Sequence, residues 1–217
     1  MKNIFSHESG LYRVVERLTN LVALNLLYLL FCIPIVTIGP ATVALHYVTL
    51  KYAEKEEERV WAPFIHSFRK NLKQGIVLGL IATGLGVFLA FDLYWIYQMV
   101  SAGHGFDMFI LVVVSLACII YLMMTAYIYP LLARYDNSLK QLFRTAVILA
   151  IRHLPATLCI AVISAAPIIL LMYTPTTFML TLTFYFFIGF AAIAFLHDKM
   201  IALIFRQYTP KETTEEE

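Results

Sequence analysis

The stretch MFILVVVSLACIIYLMMTAYIYPLLA, residues 108 to 133, contains no charged residue. About 20 apolar residues are enough for a helix to cross the hydrocarbon core of a bilayer. Further uncharged runs cover residues 76 to 91, 154 to 173 and 178 to 196. In the whole chain, 61% of the residues are hydrophobic and 14% are charged, whereas roughly a quarter are charged in soluble domains. The sequence therefore predicts an all-α protein, a polytopic transmembrane helical bundle.

The segment before these runs is predicted to form a helical hairpin. A first apolar run starts at Leu18 and meets IPIVTIGP, residues 33 to 40. Pro34 and Pro40 each remove a backbone donor, and Gly39 permits unusual backbone torsions. The apolar run after Pro40 is short for a full crossing. We expect a structural corner at these three residues and a second arm that is tilted, extended by charged residues, or re-entrant.

A single integral membrane domain, residues 1 to 217, is predicted because the connectors are too short for a separate aqueous domain. The hairpin and four full spans make five to six membrane segments. The N-terminal arm suits a helix at the cytoplasmic interface or an ordinary charged flank of the first span. The predicted order is arm 1–17, hairpin 18–53, connector 54–75, two spans in 76–133, connector 134–153, two spans in 154–205 and an acidic tail 206–217.

The Lys and Arg residues predict the orientation of these segments. None of them falls in IPIVTIGP, in SAGHG at 101 to 105, or in TPTT at 174 to 177. Basic residues accumulate in cytoplasmic segments, so we expect a multi-pass cell-membrane protein with both termini and both long connectors in the cytoplasm. An arrangement of five spans would put a basic cluster outside, and it ranks second.

Three stretches resemble the YesL-like family of bacterial integral membrane proteins. They are NLLYLLFCIPIVTIGPATVALHYV at 25 to 48, FIHSFRKNLKQG at 64 to 75 and FRTAVILAIRHLP at 143 to 155. The resemblance covers most of the chain. It implies a protein without an established biochemical activity, from a family whose genes tend to accompany carbohydrate uptake and degradation in Gram-positive bacteria. It transfers no catalytic residue to this chain, and it supports a role near sugar transport by association.

Enzyme and cofactor motifs are missing from the sequence. There is no HExxH, GxSxG or phosphate-binding GxxxxGK, and no paired carboxylates share a helix face. The cysteines lie in apolar runs, away from His and Asp at metal-ligand spacing. We therefore predict a non-enzyme with no catalytic, cofactor-binding or metal site, and the formal charge of +2 argues against nucleic acid.

Small and amide side chains within the spans predict close helix packing. Asn25 lies in the middle of the first span, where lipid offers its carboxamide no partner, so we expect it to bond another helix. Gly75, Gly79 and Thr83 follow at four-residue spacing and place small side chains on one helix face. We expect this face to pack within the chain rather than in a dimer.

Ionisable residues within spans are costly and default to functional hypotheses. For His46, a simple hydrogen bond is favoured over a role in a water-filled pocket, because few polar residues are near it in the sequence. Asp198 and Lys199 could reach the cytoplasmic interface by snorkelling, although an ion pair is the favoured role for them.

The two long connectors contain similar aromatic and basic residues. They could anchor to anionic lipid of the bilayer or dock onto a membrane or cytoplasmic protein of a sugar uptake system. The residues expected to do so are Trp61, Phe64, Phe68, Arg69, Phe143 and Arg144. The favoured function is a non-enzymatic accessory or regulatory membrane protein associated with carbohydrate uptake or utilisation. The alternative is a transporter or permease component for a small solute.

Overall fold

The computed structural model describes residues 10–54, 59–101 and 105–208. Some predictions fall outside these ranges. They concern the start of the N-terminal arm, the middle of the charge run EKEEER, the middle of the link SAGHG and most of the acidic tail. Within them the elements are helical: α1 Gly10–Cys32, a 3-10 turn Ile35–Thr37, α2 Ile38–Ala53, α3 Trp61–Lys70, α4 Leu72–Ser101, α5 Gly105–Arg134, α6 Leu139–Arg152, α7 Leu154–Tyr173, α8 Pro175–Phe184, a π-helical segment Tyr185–Gly189 and α9 Phe190–Tyr208.

The long helices confirm the predicted all-α bundle. In the described ranges, four helices are long and apolar enough to cross a membrane: Val14–Cys32, Leu72–Val100, Met108–Arg134 and Pro175–Tyr208. A fifth is counted if α6 and the first part of α7 form one broken span, although they bend by 102°. The bend follows His153, where the α6 region ends and Pro155 enters the first turn of α7, a position that proline favours.

The first helix is interrupted at the corner. Helix α1 ends at Cys32, and the 3-10 turn Ile35–Thr37 separates it from α2. Pro34 has an extended backbone. The hydroxyl of Thr37 lies 2.7 Å from the carbonyl oxygens of both Phe31 and Pro34. It therefore supplies a donor at the end of α1, where helix carbonyls lack partners within the helix.

The predicted corner included Gly39 and Pro40, but both lie in the first turn of α2, where they pack directly on α4, backbone against backbone. A Cβ atom built on Gly39 would lie 2.0 Å from the carbonyl oxygen of Gly75 and 2.8 Å from the Cα of Gly79, and one built on Gly75 would lie 2.7 Å from the Cα of Pro40. Only glycine permits this approach. Thr83, the third member of the predicted small-residue face, is exposed instead and takes no part in the contact.

This contact bears on the path of α2. Gly75 and Gly79 lie in the first turns of α4, next to the connector that precedes it. The start of α2 therefore lies beside the start of α4.

Helix α2 is a central helix of the bundle. Its neighbours are α1, α3, α4, α5 and α9, and two hydrophobic clusters of the core meet on it. It therefore holds buried residues on all sides: Gly39, Pro40, Ala41, Val43, Ala44, Leu45, His46, Val48, Thr49 and Leu50.

Candidate functional site

A cluster of buried polar side chains joins α2 to α9. The Nδ1 atom of His46 lies 2.9 Å from both carboxylate oxygens of Asp198. The hydroxyl of Thr49 donates a hydrogen bond to the same carboxylate. On α9, the Nδ1 atom of His197 lies 3.7 Å from Asp198 Oδ1. Asp198 is fully buried, and we call these four residues the α2–α9 cluster.

Helical spacing brings the α2 members of the cluster together. His46 and Thr49 are three residues apart, so they share one face of the helix, and that face lies against α9. A carboxylate buried within a membrane span needs charged or donating partners. Asp198 obtains them from α2, so it neither snorkels to the interface nor depends on Lys199. The partner of this carboxylate is therefore His46 on a neighbouring helix.

His197 is less well partnered than the other members of the cluster. Its separation from the carboxylate, 3.7 Å, exceeds an ordinary hydrogen bond. Its other ring nitrogen, Nε2, is buried and makes no hydrogen bond with the described residues. Its ring packs edge-on against His46, with 5.4 Å between the ring centroids. Buried polar atoms are nearly always bonded, so this nitrogen calls for an explanation.

A cavity of about 280 Å³ opens beside the cluster. Ligand pockets begin at about this size, roughly 300 Å³. Both histidines line it, and Asp198 does not. The ring of Tyr129 stacks on that of His46, with 6.4 Å between the centroids. The other polar side chains of the wall come from α1, α2, α5, α7 and the π-helical segment: Tyr28, Thr42, Thr125, Ser164 and Tyr185.

Asn25 connects α1 to the π-helical segment at the edge of this cavity. Its Nδ2 atom donates to the carbonyl oxygens of Tyr185 at 3.0 Å and Phe186 at 2.8 Å. Its Oδ1 atom accepts from the backbone nitrogen of Ala191 at 3.1 Å. A π-helical turn leaves carbonyl and amide groups without their usual α-helical partners. The carboxamide expected to bond another helix satisfies these groups.

The predicted docking residues do not form one exposed set. Phe64 is fully buried, so its prediction as an exposed anchor is wrong. It lies in the core beside α1, because α3 turns its apolar face towards the bundle. Phe68 packs on Phe31, with 4.8 Å between the ring centroids, and Phe143 packs on the hydrophobic core. The exposed members of the set are Trp61, Arg69 and Arg144.

An ion pair joins the two connectors. Lys70 Nζ at the end of α3 lies 2.8 Å from the carboxylate of Asp136, which precedes α6. Nearby, Arg134 pairs with Glu54 at the end of α2. The exposed Arg69 is adjacent to Lys70 in the chain. We call the charged residues Arg69, Lys70, Asp136 and Arg144 the connector surface.

Sequence reasoning missed the α2–α9 cluster because its halves lie 152 residues apart. Neither half contains a motif with metal-ligand or catalytic spacing. A signal was nevertheless present. The apolar runs of the chain contain few ionisable residues, and among them are His46 in the short second arm and His197 with Asp198 in the last span. Ionisable residues that are isolated within spans usually pair with one another.

These features define a class, an all-α protein with several helices apolar enough to cross a membrane and a polar cluster within the bundle. The chain matches the family model described as "Protein of unknown function, DUF624" over residues 21–93. It is 26% identical over 184 residues to "Uncharacterized protein YesL" of Bacillus subtilis (strain 168), which covers 83% of this chain and 85% of that protein. It is 26% identical over 176 residues to "Uncharacterized protein YteU" of the same organism, covering 78% of each. No solved structure matches it. These matches confirm the resemblance to the YesL-like family, whose function is unknown.

Proposed function

We propose that this protein is a non-enzymatic accessory or regulatory protein of the cell membrane that acts by contact with a component of a carbohydrate uptake system. The Lys70–Asp136 ion pair is the observation that carries the proposal. It joins two connectors that are separate in the sequence, and each connector also contains an exposed arginine, Arg69 in one and Arg144 in the other.

The chemistry of the connector surface suits a protein partner. Arg69 and Arg144 are exposed, and arginine is enriched at protein interfaces because its planar guanidinium donates several hydrogen bonds in a fixed geometry. Anionic lipid headgroups attract the same charges. The two cases differ in one respect, since attraction to lipid depends mainly on charge and a protein contact depends on the shape of the guanidinium.

The association with carbohydrate uptake or utilisation rests on the YesL-like resemblance. The connectors, in this proposal, face the cytoplasm together with both termini, because this arrangement keeps the Lys and Arg residues on one side. The partner is then a membrane subunit or a cytoplasmic protein that approaches from that side.

Cysteine labelling tests the orientation. In a chain whose three native cysteines are replaced, Ser101→Cys and Thr176→Cys should react with an impermeant maleimide in intact cells. Ser138→Cys, which is exposed before α6, should react only after the membrane is made permeable. Reaction of Ser138→Cys in intact cells would contradict the proposed orientation.

Recovery of partners from native membranes tests the function. The tagged protein is isolated in mild detergent from cells grown on a complex carbohydrate, and the proteins that accompany it are identified. We expect a carbohydrate uptake component, and Arg69→Lys with Arg144→Lys should lower its recovery about tenfold because charge is kept and guanidinium geometry is lost. Arg206→Lys, at an exposed position on α9, is the matched control. The proposal fails if no partner recurs, or if the double variant recovers it as well as the control.

The cavity favours a second candidate, a transporter or permease component for a small solute. Its mixed polar and aromatic wall is typical of ligand pockets. Purified protein in liposomes should then take up a solute without any partner. Uptake no faster than in protein-free liposomes, for a panel of mono- and disaccharides, would remove this candidate for that class of solute.

A further inference from the structure

We propose that His46, His197 and Asp198 bind a divalent transition metal of the zinc class. Each of the three offers one ligand atom, and these atoms lie within 4.8 Å of one another. The residues are all buried. This site is independent of the proposed accessory function, which rests on the connector surface at the end of the bundle.

The separations within the cluster suit a metal of this size. Zn²⁺ binds histidine nitrogen and carboxylate oxygen at about 2.0–2.2 Å in tetrahedral geometry, so neighbouring ligand atoms are separated by about 3.3 Å. The distances from the Asp198 carboxylate to Nδ1 of His46 and of His197 are 2.9 Å and 3.7 Å. They lie on either side of that value, and the ligand atoms of the two histidines lie within 4.8 Å of each other, so small movements of the two imidazoles would bring all three ligands around the ion.

The weak partnering of both ring nitrogens of His197 is the second observation. Its Nε2 atom is buried without a hydrogen bond to the described residues, and its Nδ1 atom stands beyond hydrogen-bonding distance of a carboxylate. A neutral imidazole has one donor and one lone pair. A cation held between Nδ1 of this ring and the carboxylate uses the Nδ1 lone pair and neutralises the buried charge of Asp198, and Nε2 then carries the proton of the ring. A plain His46–Asp198 ion pair leaves His197 without a role.

The ligand types select the metal. Two imidazoles and one carboxylate suit Zn²⁺ and its neighbours in the first transition row, whereas Mg²⁺ and Ca²⁺ prefer oxygen ligands. The hydroxyl of Thr49 holds the carboxylate as outer-shell donors do at metal sites. Three protein ligands leave a fourth position open. The adjoining cavity, lined by both histidines, has room there for water or for an oxygen atom of a solute.

Zinc binding by the purified full-length protein tests this site. The protein carries a streptavidin-binding tag in place of polyhistidine, is stripped with a chelator, and is titrated with Zn²⁺ against a chromogenic competitor. We expect one Zn²⁺ per chain. His197→Ala keeps the His46–Asp198 contact and should weaken binding at least about tenfold, while His66→Ala, at an exposed histidine of α3, should bind like the unaltered protein.

X-ray absorption of the zinc-loaded, unaltered protein gives a second measurement that does not depend on how any variant folds. We expect a first shell of nitrogen and oxygen at about 2.0–2.1 Å, without sulfur at about 2.3 Å. The proposal is overturned if the protein binds no stoichiometric zinc. It is also overturned if the first shell contains cysteine sulfur, or if folded His197→Ala binds as tightly as His66→Ala.

Discussion

Helix α2 and the most apolar stretch of α5 are alike in lacking charge at most positions, yet they occupy opposite environments. Ten of the 16 residues of α2 are buried, whereas the most apolar stretch of α5 buries none of its residues. Lipid tails are as apolar as leucine, so apolar character alone does not tell whether a helix faces lipid or protein in a membrane. What distinguishes α2 is its small and polar residues, Gly39 against α4 and His46 with Thr49 against α9.

The largest expected effect comes from adding a methyl group where α2 and α4 make their closest contact. Gly39→Ala places a methyl group about where the Gly75 carbonyl now lies, since a Cβ atom at this position would be 2.0 Å from that oxygen. We expect the free energy of unfolding in detergent to fall by about 3 kcal/mol or more. Tryptophan fluorescence during denaturation measures it. Gly84→Ala is the control, because its added Cβ would meet nothing within 4 Å. Equal stability of the two variants would contradict the close approach.

A carboxylate on α5 tests the other side of the comparison. Leu116 is 57% exposed near the middle of α5, and an aspartate at the centre of a span costs about 2.5–3.5 kcal/mol of insertion free energy. Leu116→Asp should therefore reduce the fraction of chains inserted in a membrane-insertion assay. Met99→Asp, near the end of α4, should have a much smaller effect. Full insertion of Leu116→Asp would mean that this face is not in contact with lipid.

Asn25→Leu tests the polar contact between α1 and the π-helical segment. The change removes the donor to Tyr185 and Phe186 and the acceptor for Ala191. Hydrogen bonds between membrane helices contribute about 1–2 kcal/mol, so we expect a loss of that size in the same denaturation measurement. Thr183→Ala, which removes only a bond to its own helix, should change stability less. A neutral Asn25→Leu variant would show that the π-helical segment does not need this side chain.

The smallest effect is expected at the connector surface. The side chains of Lys70 and Asp136 are 50% and 74% exposed, and exposed ion pairs typically contribute less than about 1 kcal/mol. Lys70→Gln should leave the free energy of unfolding within about 0.5 kcal/mol of the original value. A larger loss would indicate that the Lys70–Asp136 pair contributes substantially to holding the two connectors together.

The sequence predicted what depends on local composition. Long uncharged runs identified α4, α5 and the last span, and Pro34 marked the end of α1, because each of these signals lies within one segment. The sequence did not predict which faces meet. His46 and Asp198 are paired only by the packing of α2 on α9, and Phe64 looked like an exposed anchor because its charged neighbours in the sequence point away from the core.

The π-helical segment determines the direction in which the side chains of α9 point. Each residue of an α-helix advances the side-chain direction by roughly 100°, and a π turn accommodates about one residue more than an α turn. Residues 185–189 therefore rotate α9 by about that angle relative to an unbroken continuation of α8. Removing one residue from this segment would turn His197 and Asp198 away from α2 without changing either side chain, so the cluster depends on the length of a turn that contributes none of its four members.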